Sequence, residues 1–157
     1  MFSSERCTRA VGQGEGKVSR LKSGQKPLVL VAEDHEDTRY MLRTIFEMKG
    51  CRVVEACDGL QAVEVAGREQ PDLILMDGSL PRLNSLAATR LIRGNAFMSK
   101  VFIVALNGWG TLSFHDAALA AGCNDCLNKP IDFERLERHL VRLFSSTQAV
   151  ARDGTES

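Results

Sequence analysis

Five times along this chain a short apolar run rich in β-formers gives way to a segment of helical periodicity, and this strict alternation limits the fold more than any other feature. The runs are PLVLVA (Pro27 to Ala32), CRVVEA (Cys51 to Ala56), DLILMD (Asp72 to Asp77), VFIVAL (Val101 to Leu106) and DCL (Asp125 to Leu127). They are too short for helices, and their near-continuous apolar character suits strands buried on both faces. Strands separated by helices belong in one parallel sheet covered on both sides, with connections of a single hand. The expectation is an α/β fold, a (βα)5 doubly wound five-stranded parallel sheet.

The helices are marked by repeats and by stop signals. Leu42, Ile45 and Phe46 recur at i, i+3, i+4 until Gly50. Asp58 can cap a helix carrying Leu60, Val63 and Ala66, which must stop before Pro71. A looser pattern holds Ala88, Leu91 and Ile92, and an alanine-rich one holds Phe114, Ala117, Ala118 and Ala121 before Gly122. The last helix, capped by Asp132, repeats Phe133, Leu136, Leu140 and Leu143. On either side the pattern fades. Residues 1–26 mix glycine, serine and charge without period and are expected to be a flexible arm, and residues 146–157 a flexible polar tail, leaving 27–145 as the folded domain. GQGEG, Gly12 to Gly16, makes a poor phosphate loop because no strand precedes it and no Gly-Lys-Ser/Thr follows.

At 157 residues and 44% hydrophobic content, one core is the expectation. Twenty basic side chains balance twenty acidic ones, so bulk charge favours neither nucleic acid nor an anionic membrane. The sequence holds no stretch of the roughly 18 consecutive apolar residues that a membrane span needs and opens without a secretory signal, so the expected location is cytoplasmic. The five cysteines are an odd number and read as reduced thiols. Cys123 and Cys126 form a C-x-x-C, but the pair leads into a strand, whereas redox pairs open a helix, and it has no partner pair for zinc.

In an open parallel sheet, ligands sit beyond the carboxyl ends of the strands. Glu33, Asp34, His35 and Glu36 follow the first strand, Asp77 closes the third, Asn107 follows the fourth, and Lys129-Pro130 the fifth. Carboxylates crowded to 4 Å repel by about 4 kcal/mol per pair at an effective dielectric near 20, so a cation must join them. Oxygen ligands suit Mg²⁺ or Mn²⁺, and a lysine beside them can hold an anion bound to the metal. Acids plus lysine suggest phosphoryl transfer. Taken singly, each residue has a plainer reading: Asp77 a helix cap, Glu33 a surface acid, Lys129-Pro130 a turn, His35 a solvated side chain and Trp109 an exposed loop aromatic.

Together these features resemble the receiver domain of response regulators, the phosphoacceptor module of two-component signalling, over residues 28 to about 144. The matching motifs are VAEDH after the first strand, LILMD followed by LPRL, ALN at the end of the fourth strand, and NKPID after the fifth. The resemblance implies the flavodoxin-like strand order 2-1-3-4-5. It implies Asp77 as phosphoacceptor, Mg²⁺ (or Mn²⁺) held by Asp34, Asp77 and the Ser79 main-chain carbonyl with Glu33 acting through water or by orientation, and Lys129 on a phosphoryl oxygen. It also implies a histidine kinase or histidine phosphotransfer protein as donor and an unidentified protein as target. A stand-alone phosphoacceptor, monomer or weak dimer, is expected rather than an enzyme, with direct contact to neither nucleic acid nor membrane.

Two positions depart from the family. Asn107 stands where a Thr or Ser usually reaches the phosphoryl group, and Cys126 where a Tyr or Phe usually turns inward. They keep open a second reading, a pseudo-receiver that binds proteins with little phosphorylation-driven switching. Other rivals fit less well. An aspartate-nucleophile phosphatase wants a second Asp at position 79, which is Ser, and a flavodoxin-like phosphate cradle would be repelled by EDHED at residues 33–37.

Overall fold

The computed structural model describes residues 25–153, and from residue 144 onward the backbone alone. Elements alternate throughout: β1 (Leu28–Ala32), α1 (Glu36–Met48), β2 (Arg52–Ala56), α2 (Gly59–Glu69), β3 (Leu73–Asp77), α3 (Ser85–Gly94), β4 (Phe102–Asn107), α4 (Leu112–Ala121), β5 (Asp125–Asn128) and α5 (Phe133–Asp153). The five strands form one parallel sheet in the order β2-β1-β3-β4-β5. Every residue of β1 and of β3 is buried, as central strands covered on both faces require.

The side-chain alternation of the strands divides the interior into two layers. Val29, Val31, Leu73 and Leu75 meet Leu42 and Phe46 of α1 and Leu136 and Leu140 of α5 on one face. Leu30, Ala32, Ile74 and Met76 meet Ala62, Val65 and Ala66 of α2, Ala88 and Ile92 of α3 and Ala118 of α4 on the other. Strand order reverses between β1 and β3, so the crevice expected of this topology opens at their carboxyl ends.

Local signals account for the helix ends. Asp58 accepts from the Gln61 amide, Asn84 from Ala87 and Thr111 from Phe114, and Asp132 accepts from Arg135 at the start of α5. Gly122 closes α4 in the left-handed conformation at φ 118°. Three sequence markers are placed differently. Leu60 and Leu91 are about half exposed, because α2 packs through the neighbouring Ala62, Val65 and Ala66 and α3 through Ala88, Thr89 and Ile92. The backbone of α5 stays helical to Asp153, past the boundary at 145: the apolar repeat stops at Leu143, but helical main-chain bonds need no apolar repeat to continue. The proposed arm lies outside the described residues except for its last two.

Candidate functional site

The site is assembled from strand ends. β3 delivers Asp77 with only 1% of its surface exposed, and β1 hands the chain to Glu33, equally buried, whose amide continues the sheet by donating to the Ala56 oxygen at 3.0 Å. From beyond β5, Lys129 lays its ammonium 3.1 Å from Asp77 Oδ1 and 3.4 Å from Glu33 Oε1. The peptide bond from Lys129 to Pro130 is cis. Three groups far apart in sequence therefore share one corner. Asp34, the next residue along, turns to His35, with His35 Nδ1 3.2 Å from Asp34 Oδ1.

Charge balance in this corner follows from the geometry. Burial and then the hydrogen bond and charge of Asp77 push the Glu33 carboxyl up to about 7, despite the ammonium nearby. Burial works against ionised Asp77 too, but the hydrogen bond with Glu33 and the Lys129 ammonium outweigh it and hold this carboxyl below the usual range. Burial likewise works against charged Lys129, and the two carboxylates overcome it and raise the lysine. One ammonium faces two buried acids, so a second cation would relieve the crowding.

The donors present fit a hard divalent ion. Glu33, Asp34 and His35 each offer a ligand atom, and these atoms lie within 4.8 Å of one another; Asp77, expected beside Asp34, is not in this group and is engaged instead by Lys129 and Ser79. Carboxylate oxygens suit Mg²⁺ or Mn²⁺. His35, read from sequence as solvated, is 73% exposed at its side chain yet belongs to this group.

Ser79 and Arg39 do more than the sequence announces. The Ser79 hydroxyl donates to Asp77 Oδ2 at 3.1 Å and its amide approaches Oδ1 at 3.4 Å, so both carboxylate oxygens are oriented. Buried Arg39 donates to the Glu33 main-chain oxygen at 2.9 Å and lies 3.8 Å from Glu55, pinning the turn that aims the acid pair. A D-x-S sequence hinted at the first; an arginine one helical turn into α1 gave no signal for the second.

Asn107 is fully buried, and its side chain is turned to the β4–α4 loop. Oδ1 accepts from the amides of Trp109 and Gly110, each at 3.1 Å, and Nδ2 donates to the Thr111 oxygen at 2.9 Å. Cys126 is buried in the layer shared with α4, and like the buried Cys51 and Cys123 it is a free thiol. Trp109 is 59% exposed, as a loop aromatic, and stands edge-on to Phe114 with ring centroids 5.4 Å apart.

Comparisons with known proteins bear on this corner. The family model described as the response regulator receiver domain matches residues 29–141. The polar-differentiation response regulator DivK of Brucella anthropi is 27% identical over 107 residues, which cover 68% of this chain and 87% of DivK. The crystal structure of the receiver domain of the sensor histidine kinase PA1611 from Pseudomonas aeruginosa superposes with a TM-score of 0.70 at 35% identity, covering 77% of this chain and 99% of that one; it carries a magnesium ion in its active-site cleft. The receiver domain of the Saccharomyces cerevisiae response regulator Ssk1, crystallised with the phosphotransfer protein Ypd1, gives a TM-score of 0.66 at 28% identity over 73% of this chain and 86% of that one.

Proposed function

The chain belongs to the response regulator receiver domain family of two-component signalling, and from that premise we propose that Asp77 accepts a phosphoryl group from a phosphohistidine. The observation that carries this reading is the placing of one ionised carboxylate against one ammonium: buried Asp77, held below the usual carboxylate range, 3.1 Å from Lys129 Nζ.

An oxygen of the Asp77 carboxylate attacks the phosphorus, a bond from that oxygen to phosphorus forms, and the donor's nitrogen–phosphorus bond breaks, with the imidazole leaving and taking up a proton. Lys129 follows the charge from the free carboxylate to the phosphoryl oxygens, a charge-assisted contact available in both states. Ser79 keeps the carboxylate in the plane from which it attacks. Asp34, Asp77 and the Ser79 main-chain carbonyl would hold Mg²⁺ or Mn²⁺, with Glu33 orienting the site or acting through water. The metal would supply charge neutralisation at the phosphoryl oxygens; position and electrostatics carry this chemistry.

The donor is a histidine kinase or a histidine phosphotransfer protein, a reading supported by the Ssk1 receiver's complex with Ypd1. The output is contact with another protein, and the chain acts as phosphoacceptor rather than as an enzyme with its own substrate. None of the helices among the described residues is long and apolar enough to cross a membrane. The test is intact-mass spectrometry after incubation with Mg²⁺ and a small acyl phosphate. One phosphoryl group on the parent and none on Asp77→Asn is the expected result; an unmodified parent, or equal modification of the variant, refutes the assignment. A pseudo-receiver is the second reading, favoured by the Asn107 amide being bound within its own loop.

A further inference from the structure

We propose that the cleft between the start of β5 and the outer face of α5 binds a small soluble anion with adjacent phosphates, such as inorganic pyrophosphate or a nucleoside diphosphate. The cleft measures about 320 Å³ and is lined by Asn124, Asp125, Arg135, Arg138, His139 and Arg142. It is separate from the phosphoryl corner, since Asp125 opens β5 and Lys129 lies beyond its other end.

Its charge is one-sided. Among the described residues the single carboxylate lining it, Asp125, is 6% exposed and already committed: Arg135 donates to it from Nη2 at 2.6 Å and Nε at 3.0 Å, and His139 from Nε2 at 2.7 Å. Arg138 and Arg142 remain exposed with no ion pair among the described residues. Arg93 of α3 reaches in from the side and donates to Asn124 Oδ1 at 2.7 Å. Of the acids on α5, Glu137 turns to Lys49 of α1 at 3.1 Å. The chain as a whole carries no net charge, so this surplus is a local arrangement.

The arrangement is also rigid on its floor. Phe102 packs on the His139 ring with centroids 4.7 Å apart, and Asp125 holds Arg135 and His139 in place. His139 thereby belongs to the floor, with Nε2 committed to Asp125 and Nδ1 buried. Guanidinium forks match phosphate oxygens bidentately, and Arg138 and Arg142, one helical turn or about 6 Å apart along α5, offer two exposed forks to two linked phosphates, while Arg135 stays on Asp125.

Calorimetric titration of the full chain with pyrophosphate and with ADP tests this, in chelator to silence the acid corner and at physiological salt. Saturable binding of one anion per chain is expected, weakened tenfold or more in Arg138→Gln/Arg142→Gln and unchanged in Asp77→Asn, with amide shifts at Asn124 and Arg135 by NMR. Circular dichroism melting of the arginine variant checks that it folds. The proposal is overturned by absence of saturable binding at millimolar anion, by equal binding in the arginine variant, or by loss of binding in Asp77→Asn. Attraction that vanishes with salt and exceeds one ion per chain overturns it too. So does preference for anionic vesicles or duplex DNA over both soluble probes, which would assign the face to a macromolecule.

Discussion

Asn107 is tied to Thr111: its side-chain nitrogen donates to the Thr111 main-chain oxygen at 2.9 Å, while its oxygen accepts from the two amides between them. The β4–α4 loop is thereby closed on the residue that, in the family pattern, is free to move. Releasing the amide toward Asp77 would break three hydrogen bonds, each worth about 1 kcal/mol net, in exchange for one charge-assisted bond of roughly 1.5–3 kcal/mol. The exchange does not favour movement.

A muted conformational response to phosphorylation follows. Driving a two-state equilibrium fully across takes about 5.5 kcal/mol of differential stabilisation, more than the exchange above supplies. Amide NMR spectra with and without beryllofluoride should show shifts confined to the neighbours of Asp77, Ser79 and Lys129 in the parent. In Asn107→Thr/Cys126→Tyr they should spread through α4 and β5. Equally wide shifts in both proteins would show that the loop is no restraint.

Lys129→Ala should accept phosphate poorly. Removing the ammonium takes away the cation that would follow the charge onto the phosphoryl oxygens; the proton that the crowded pair takes up sits on Glu33, already raised, so Asp77 stays ionised but loses that contact. Phosphorylation from an acyl phosphate should slow at least tenfold, while Lys129→Arg should recover part of it. Parent-like rates in Lys129→Ala would remove the lysine from the reaction.

The described cysteines should differ sharply in reactivity. Burial, then the neighbouring Asp72, push the Cys51 thiol up to about 11; burial, then Cys123 and Asp125, do the same at Cys126, and burial also raises Cys123. Alkylation at pH 8 in native buffer, mapped by mass spectrometry, should mark half-buried Cys57 and spare those three. Modification of Cys123 and Cys126 as a pair, or a disulfide between them, would revive the redox reading.

Strand content, parallel topology and the meeting of Glu33, Asp77 and Lys129 at one corner were legible because each leaves a sequence trace that does not depend on packing. A buried parallel strand must be apolar throughout, and a carboxylate ending such a strand, as Asp77 ends LILMD, has one place to be. Which side of α2 faces inward was not legible. Leu60 and Ala62 both suit a helix, and the tight approach of Gly59 to the β3–α3 loop, where an added Cβ would sit 1.8 Å from the Leu83 oxygen, decides which one is buried. The aim of Asn107 was illegible for a similar reason: an amide can serve a loop or a pocket equally well, and only the loop's backbone path selects.

Stability in chelator should fall as pH rises through the range set by Glu33. The folded carboxyl is pushed up to about 7 from the ordinary 4.5, by burial first and then by Asp77, so the folded protein holds a proton that the unfolded chain has released. Between those values the folded state binds more protons and loses stability with rising pH, by a total on the order of 1–3 kcal/mol; above about pH 7 the slope vanishes. Asp77, held low, acts below this window and does not oppose it. Urea melts of parent and Glu33→Gln at pH 5 and pH 7.5 isolate the effect, which should be present only in the parent. Equal slopes in the two proteins would place the proton elsewhere.

Gly78 couples the end of β3 to α4, and this contact should be visible through the chain's one tryptophan. A Cβ at Gly78 would lie 2.6 Å from Phe114 Cζ and 2.7 Å from the Leu106 main-chain oxygen, which accepts from the Gly78 amide at 2.9 Å. The Phe114 ring therefore rests directly on the backbone beside Asp77, and Trp109 stands edge-on to the same ring. Gly78→Ala must push the ring aside and strain the β3–β4 pairing, at a loss of about 1–3 kcal/mol. Trp109 emission should shift as the ring moves. Phe114→Ala removes the ring contact but not the clash with Leu106, so the double variant should lose less stability than the two single losses added, yet more than Phe114→Ala alone. Additive losses with unchanged emission in Gly78→Ala would mean that the end of β3 and the start of α4 move independently.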